Sequence, residues 1–223
     1  VILFSNNVDE YKKELVDYRG RVLMSTMINN ICYYKIRTFS IIKFVVDTLN
    51  ESIDRQILVL SDRKKQLEDI FNIVTENEYC SVGYYIGGMK DKERKESEKK
   101  QLILGTYSMA KEGLDIKSLN CLFLVSPKSD IVQSVGRILR QKHDNINPKI
   151  VDFVDTFSVF NNQSKKRFNL YKKRKYSVKD IMLDIDNLKV LGTKEYNFKD
   201  KKSKKPIEEN TKKIPQLSFS NKF

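Results

Sequence analysis

Between residues 37 and 156 the chain alternates between two hydrophobic rhythms. Residues 38–50 carry Ile41, Ile42, Val45, Val46 and Leu49 at three- and four-residue intervals, which predicts an amphipathic helix. Residues 56–60 are almost wholly apolar, as a strand covered on both faces must be. The pattern repeats with a helix over 64–77, its Leu67, Ile70, Phe71 and Val74 inward, and a strand over 81–86 ending at Gly87 and Gly88. The charged run 90–100, alternating in sign, reads as the exposed start of a solvated helix. Strands follow at 102–104, 120–125 and 149–154, with a helix over 130–141 between the last two. Short apolar strands alternating with helices predict an α/β fold. It is a mostly parallel sheet of about five to six strands with right-handed crossovers and helices on both faces.

The flanks read differently. Residues 1–36 offer only a strand end near 1–4 and a short helix near 10–15, and are expected to be an inter-domain segment or an edge of the core. The regular part, 37–156, is the expected domain. Residues 157–193 predict a basic helical extension, and 194–223 a Lys-rich flexible tail broken by Pro206 and Pro215. With 223 residues, 40% of them apolar, the chain accommodates one α/β domain and an appendage, and is too short for two such lobes. Because it opens on Val1, it is expected to be part of something longer.

Charge and cysteine usage narrow the partners. A formal charge of +13 favours an anionic partner, nucleic acid before a membrane surface. No apolar run approaches the ~20 residues of a membrane span and no signal peptide opens the chain, so no membrane partner is expected. Cys32, Cys80 and Cys121 are widely spaced, odd in number and part of no Cys/His cluster. They predict small buried hydrophobes in a reducing intracellular compartment, with no metal site and no disulfide framework. The lone His143 reads as a surface residue.

Candidate chemistry concentrates in two passages. In 133–140 (QSVGRILR), Gln133, Arg137 and Arg140 share one helical face, with Ile131, Val135 and Leu139 opposite and Gly136 allowing close approach. Two guanidiniums on one face suit the spread charge of a phosphoryl transition state, although an exposed basic helix alone would look similar. The second passage, 104–116 (LGTYSMAKEGLDI), follows a buried strand at its carboxyl end, where α/β sheets bind ligands. There Thr106 can grip a backbone phosphate and Asp115 can accept a ribose hydroxyl; a plain turn is the competing reading. A third feature, the helix 165–175, interleaves Phe168 and Tyr171 with Lys165, Lys166, Arg167 and further basic residues. Salt-sensitive phosphate contacts and a solvated face with core-packing aromatics are equally good accounts of it.

Taken in order, these passages resemble motifs V and VI of superfamily 2 helicases. Residues 57–63 (ILVLSDR) are similar to motif IV, and 84–94 (YYIGGMKDKER) to the segment between motifs IV and V. The resemblance covers about 37–160 and implies a RecA-like fold, the second of a motor's two. It runs toward XPB-like helicases and the transcript-release helicases of large cytoplasmic DNA viruses, which would place the chain in a cytoplasmic viral factory, a virion or a nucleus. By resemblance, Arg137 and Arg140 are arginine fingers toward an ATP with Mg²⁺ held mainly by a first RecA-like domain, and Gln133 helps to sense the nucleotide or to couple it to nucleic acid. Gly113 and Asp115 face the nucleotide; Ser61, Arg63, Gly87 and Thr106 contact the DNA or RNA backbone. The sequence departs from a whole motor in one respect. It has no G-x-x-x-x-G-K-[ST] loop and no apolar strand ending in an Asp-Glu pair, Asp9-Glu10 being in a polar segment. Negligible ATP hydrolysis is therefore expected of this chain alone. The alternative is a non-catalytic, basic nucleic-acid-binding module with a degenerate RecA fold.

Overall fold

The computed structural model describes residues 1–5, 9–112, 114–138, 145–184, 189–198 and 207–209. Their elements run β1 (Ile2–Ser5), α1 (Asp9–Lys12), α2 (Met24–Tyr33), α3 (Lys35–Leu49), β2 (Ile57–Ser61), α4 (Lys64–Glu76), β3 (Val82–Tyr85) and α5 (Asp91–Ser97). There follow β4 (Leu102–Thr106), α6 (Tyr107–Glu112), β5 (Cys121–Leu124), α7 (Val132–Ile138), β6 (Lys149–Asp155), α8 (Phe160–Lys173), β7 (Ser177–Asp184), β8 (Lys189–Asn197) and β9 (Ile207–Glu209).

The strands lie in the order β3-β4-β2-β5-β6-β1-β7-β8-β9. The five strands from β3 to β6 in that order are parallel to their neighbours and are the apolar runs anticipated above. Alternation along each strand feeds two cores. Ile57, Val59, Leu102, Leu104, Phe123 and Phe153 turn toward α3 and α4, whose Ile41, Ile42, Val45, Leu67, Ile70 and Val74 complete that layer. Leu58, Leu60, Ile103, Leu122 and Leu124 turn the other way, under Tyr107, Ile131, Val135 and Tyr171 of the α6, α7 and α8 side. Helix α4 ends where Asn77 donates its side-chain N–H to the Ile73 carbonyl at 2.8 Å and Glu78 turns to a φ of 52°. Helix α5 starts where Glu93 accepts the Lys90 N–H at 2.9 Å, an acidic first turn that suits the helix dipole.

The flanks hold more structure than the pattern promised. Strand β1 inserts into the sheet, parallel to both β6 and β7, with Ile2 opposite Phe153 and Ile181. Residues 24–33 form α2, which packs Met27, Ile28, Ile31 and Cys32 with Tyr11, Phe157 and Phe160 into a third, smaller core. Beyond the basic helix, β7 and β8 form an antiparallel pair that extends the sheet. The first residues of the tail expected from 194 are therefore part of a paired strand, which runs to Asn197. Tyr196 and Phe198 pack edge-on against Phe168 of α8. Among the described residues no helix is long and apolar enough to cross a membrane.

Candidate nucleotide and nucleic-acid interface

Parallel pairing aligns the carboxyl ends of the central strands: Ser61 lies opposite Thr106, and Leu60 opposite Leu124. The segments leaving this edge are 61–63, 86–88, 106–115 and 125–137, which carry most of the candidate residues. This is the side on which an open α/β sheet takes its ligands.

The loop joining β5 to α7 is gripped from three sides. Arg37 of α3 donates Nη1–H to the Val125 carbonyl at 2.7 Å, and Tyr107 of α6 donates its hydroxyl to the Ser126 carbonyl at 3.1 Å. Arg167 of α8 donates to the Lys128 carbonyl at 2.5 Å. The same loop reaches β2, since the Asp62 N–H donates to the Ser126 hydroxyl at 2.9 Å and the Lys128 ammonium pairs with the Asp62 carboxylate at 2.8 Å. Lys128 also sits 5.3 Å from the centre of the Tyr107 ring. Burial pushes the Tyr107 phenol well above its ordinary range, so it stays a neutral donor. These contacts join the ends of β2, β4 and β5 and fix where α7 begins.

Two buried ion pairs anchor that grip. Arg37, with none of its surface exposed, meets Asp155 at 2.9 Å through both Nε and Nη2, and Tyr11 donates its hydroxyl to the same carboxylate. On the other sheet face, Asp152 accepts from Arg167 Nε and from the Tyr171 hydroxyl, each at 2.8 Å. Burial, then the negative charge of the neighbouring aspartate, pushes the Tyr11 and Tyr171 phenols up.

The candidate residues divide under this geometry. Gln133 is exposed on α7 while Ile131 and Val135 are buried behind it, the two-faced helix the spacing predicts. A Cβ added at Gly136 would meet nothing within 4 Å, so the space in front of α7 is open. Arg137 is described in its backbone alone, and Gly113, Arg140, Leu139 and His143 lie outside the described residues. Asp115 is exposed beyond α6, next to Leu114, which shares a core with Ile131 and Val135. Lys111 pairs with Asp130 at 3.3 Å, joining the α6 and α7 segments. Gly87 is exposed, and Thr106 is half-buried with its hydroxyl 3.1 Å from that of Ser108. Lys165 and Lys166 are exposed on α8.

Three of the nucleic-acid candidates are engaged in contacts within the lobe. Arg167, expected on the basic face, is 3% exposed and committed to Asp152, because α8 turns it toward β6. Ser61 is fully buried; its hydroxyl donates to Gln66 at 2.7 Å and accepts the Arg63 N–H at 3.0 Å. Arg63 spends its guanidinium on Asn29 and Ser25 of α2 and on the Asp62 carbonyl, bracing that helix against β2. The sequence reading missed Arg37, Asp62, Tyr107 and Lys128. Only Lys128 stands close enough to the arginine-bearing helix to have drawn notice.

The helicase conserved C-terminal domain matches residues 40–142. That stretch belongs to this helicase family. A protein of Acanthamoeba polyphaga mimivirus, provisionally named an ATP-dependent RNA helicase (L396), is 43% identical over 159 residues, covering 69% of this chain and 30% of its own length. A protein of Invertebrate iridescent virus 6, provisionally named helicase 161L, is 27% identical over 157 residues, covering 63% and 35%. The chain thus spans about a third of the length of these relatives. The crystal structure of T4 UvsW superposes with a TM-score of 0.64 and 20% identity over 82% of this chain and 41% of that one, which speaks for the shared fold. The helicase C-terminal domain is thus RecA-like, with the motif-bearing loops on one edge of its sheet.

Proposed function

We propose that this chain is the second motor lobe of an ATP-dependent superfamily 2 helicase or translocase that runs on DNA or RNA. The supporting observation is the clamped loop 125–128, which starts α7 at a fixed point on the ligand-binding edge and leaves its Gln133 and Gly136 side open. A catalytic helix that reaches across to another lobe needs both properties, since positioning lowers the barrier only if the geometry is held.

The exposed Asp115 carboxylate and Gln133 amide at this edge fit the ribose and polar atoms of a nucleotide gripped from the opposite side. The open face at Gly136 would allow Arg137, one residue on, and Arg140, four residues on, to meet its phosphates. Bound ATP with Mg²⁺ would supply the phosphoanhydride whose hydrolysis drives the cycle. In that cycle the lobe closes on a first RecA-like domain of the same polypeptide. Closure would bring the guanidiniums to the γ-phosphate and shield the site from bulk water while keeping the attacking one, and opening would move the nucleic-acid grip of Gly87, Thr106, Lys165 and Lys166 by a step. Its setting is intracellular and reducing, as the viral relatives and three thiols suggest.

The test compares ATP hydrolysis by the 223-residue chain alone with hydrolysis when it is joined to an N-terminal lobe carrying a phosphate-binding loop. The expected result is no turnover alone and nucleic-acid-stimulated turnover when joined, falling about 10³-fold or more in Arg137→Ala. Unchanged turnover in that variant removes the arginine's role. Oligonucleotide binding with no turnover in either setting would favour the binding-module alternative.

A further inference from the structure

Several of the exposed large apolar side chains cluster in one stretch: Val16, Tyr18, Leu23, Met24 and Tyr33. Their centre is a tight hairpin, closed by pairing of Val16 with Val22 and by the Asp17 N–H to the Arg21 carbonyl at 2.9 Å. Asp17 stiffens its tip. One carboxylate oxygen accepts the N–H groups of Arg19 and Arg21, both at 2.9 Å, and the other accepts Arg21 Nε at 2.8 Å. Gly20 supplies the left-handed residue the turn requires, at φ 76°. The braced tip holds Tyr18 at 86% exposure, with the Arg19 guanidinium 5.0 Å above its ring rather than on a carboxylate. The hairpin leads into α2, which Arg63 ties to the end of β2 through Ser25 and Asn29, so it stands at the same sheet edge as Thr106 and α7.

We propose that this hairpin is a base-stacking platform for single-stranded nucleic acid, Tyr18 taking a base on its face while Arg19 meets a flanking phosphate. The inference rests on the reading that nucleic acid passes this edge. An exposed aromatic held rigid loses little entropy on stacking, and base stacking tolerates any sequence. Charge decides the occupant. An apolar protein surface laid on Tyr18 would bury the Arg19 cation without a counter-charge, whereas a phosphate supplies one. The chain's +13 points the same way.

The chain contains no tryptophan, so Tyr18→Trp installs a single indole at the tip. Oligo(dT), oligo(rU) and a blunt duplex are titrated against it, indole emission being followed beside the anisotropy of labelled copies. The expected result is quenching by one or both single strands, saturating with the anisotropy; the strand that quenches identifies DNA or RNA. Tyr18→Ala should weaken single-strand binding about tenfold with an unchanged melting temperature, as loss of one stacked base implies. Single-strand binding with unmoved emission overturns the platform and leaves the motor reading standing. Equal quenching by duplex overturns the single-strand preference. No binding of any oligonucleotide defeats both readings.

Discussion

Replacing Arg37 with Met keeps most of the side-chain volume and removes the cation that pairs with Asp155. The native guanidinium, with no exposed surface, hydrogen-bonds Asp155 twice at 2.9 Å and the Val125 carbonyl at 2.7 Å. Without it, the carboxylate is left buried with Tyr11 as its remaining described donor, and the Val125 carbonyl loses its clamp. Breaking a buried pair from one side costs about 3–5 kcal/mol, about a fifth or more of the about 5–15 kcal/mol that holds a typical domain. With an unfolding slope near 3 kcal/mol per molar urea for a chain of this size, the urea midpoint should fall by roughly 1–2 M. Equilibrium unfolding followed by far-ultraviolet circular dichroism measures it. Arg37→Met with Asp155→Leu should regain part of the loss, because no charge then remains buried. A midpoint shift below about 0.3 M at unchanged slope would show that Asp155 finds another partner, and the account of the clamp would fail.

Gly136→Ala should leave the isolated chain as stable or raise it by about 0.5–1 kcal/mol, since alanine is the better helix former and nothing lies within 4 Å of the new methyl. The same change should impair turnover of the two-lobe enzyme, where a neighbour closes on that face; unimpaired turnover would mean that nothing docks there. Gly83→Ala should cost about 1–3 kcal/mol in thermal or urea unfolding, because the added Cβ would sit 2.8 Å from the Ser97 hydroxyl and 3.0 Å from its Cα, pushing α5 outward. Stability should also fall with rising pH. Burial pushes Cys32 and Cys121 from an ordinary value of 9.0 up to about 12, so above pH 9 the unfolded chain releases thiol protons that the folded chain keeps. Each thiol then lowers stability by about 1 kcal/mol between pH 9 and 10, approaching the limiting slope of about 1.4 kcal/mol per pH unit, and urea midpoints at pH 8, 9 and 10 under reducing conditions will show it. Midpoints that stay level from pH 9 to 10 would contradict their burial.

What could be read from sequence tracks how a residue earns its environment. Strands β2 and β5 are buried on both faces, so their composition alone marks them: Ile57 to Leu60 and Cys121 to Leu124 are essentially unexposed. Strand β1 has four residues and owes its place to β6 and β7, about 150 and 180 residues away, which no local pattern reports. Strand β7 hides for another reason: it is half-exposed and shifts register between Met182 and Leu183, which breaks the alternation. Helix α2 was within reach, since Met24, Met27, Ile28, Ile31 and Cys32 have helical spacing. At the site, the face of α7 was legible because Ile131 and Val135 set it by period. The charges were not. Arg167 looks like its exposed neighbours Lys165 and Lys166 until Asp152 is brought beneath it by a different strand.

The insertion of β1 bears on the order in which this molecule can be made. Its two hydrogen-bonding neighbours come from the far end of the chain, so a ribosome must deliver everything through Asp184 before Ile2 to Ser5 can be enclosed. Until then at least one edge of this short apolar segment waits unpaired. Pairings so distant in sequence form slowly and leave the intermediate prone to self-association, which makes closure of this seam the natural last step of folding.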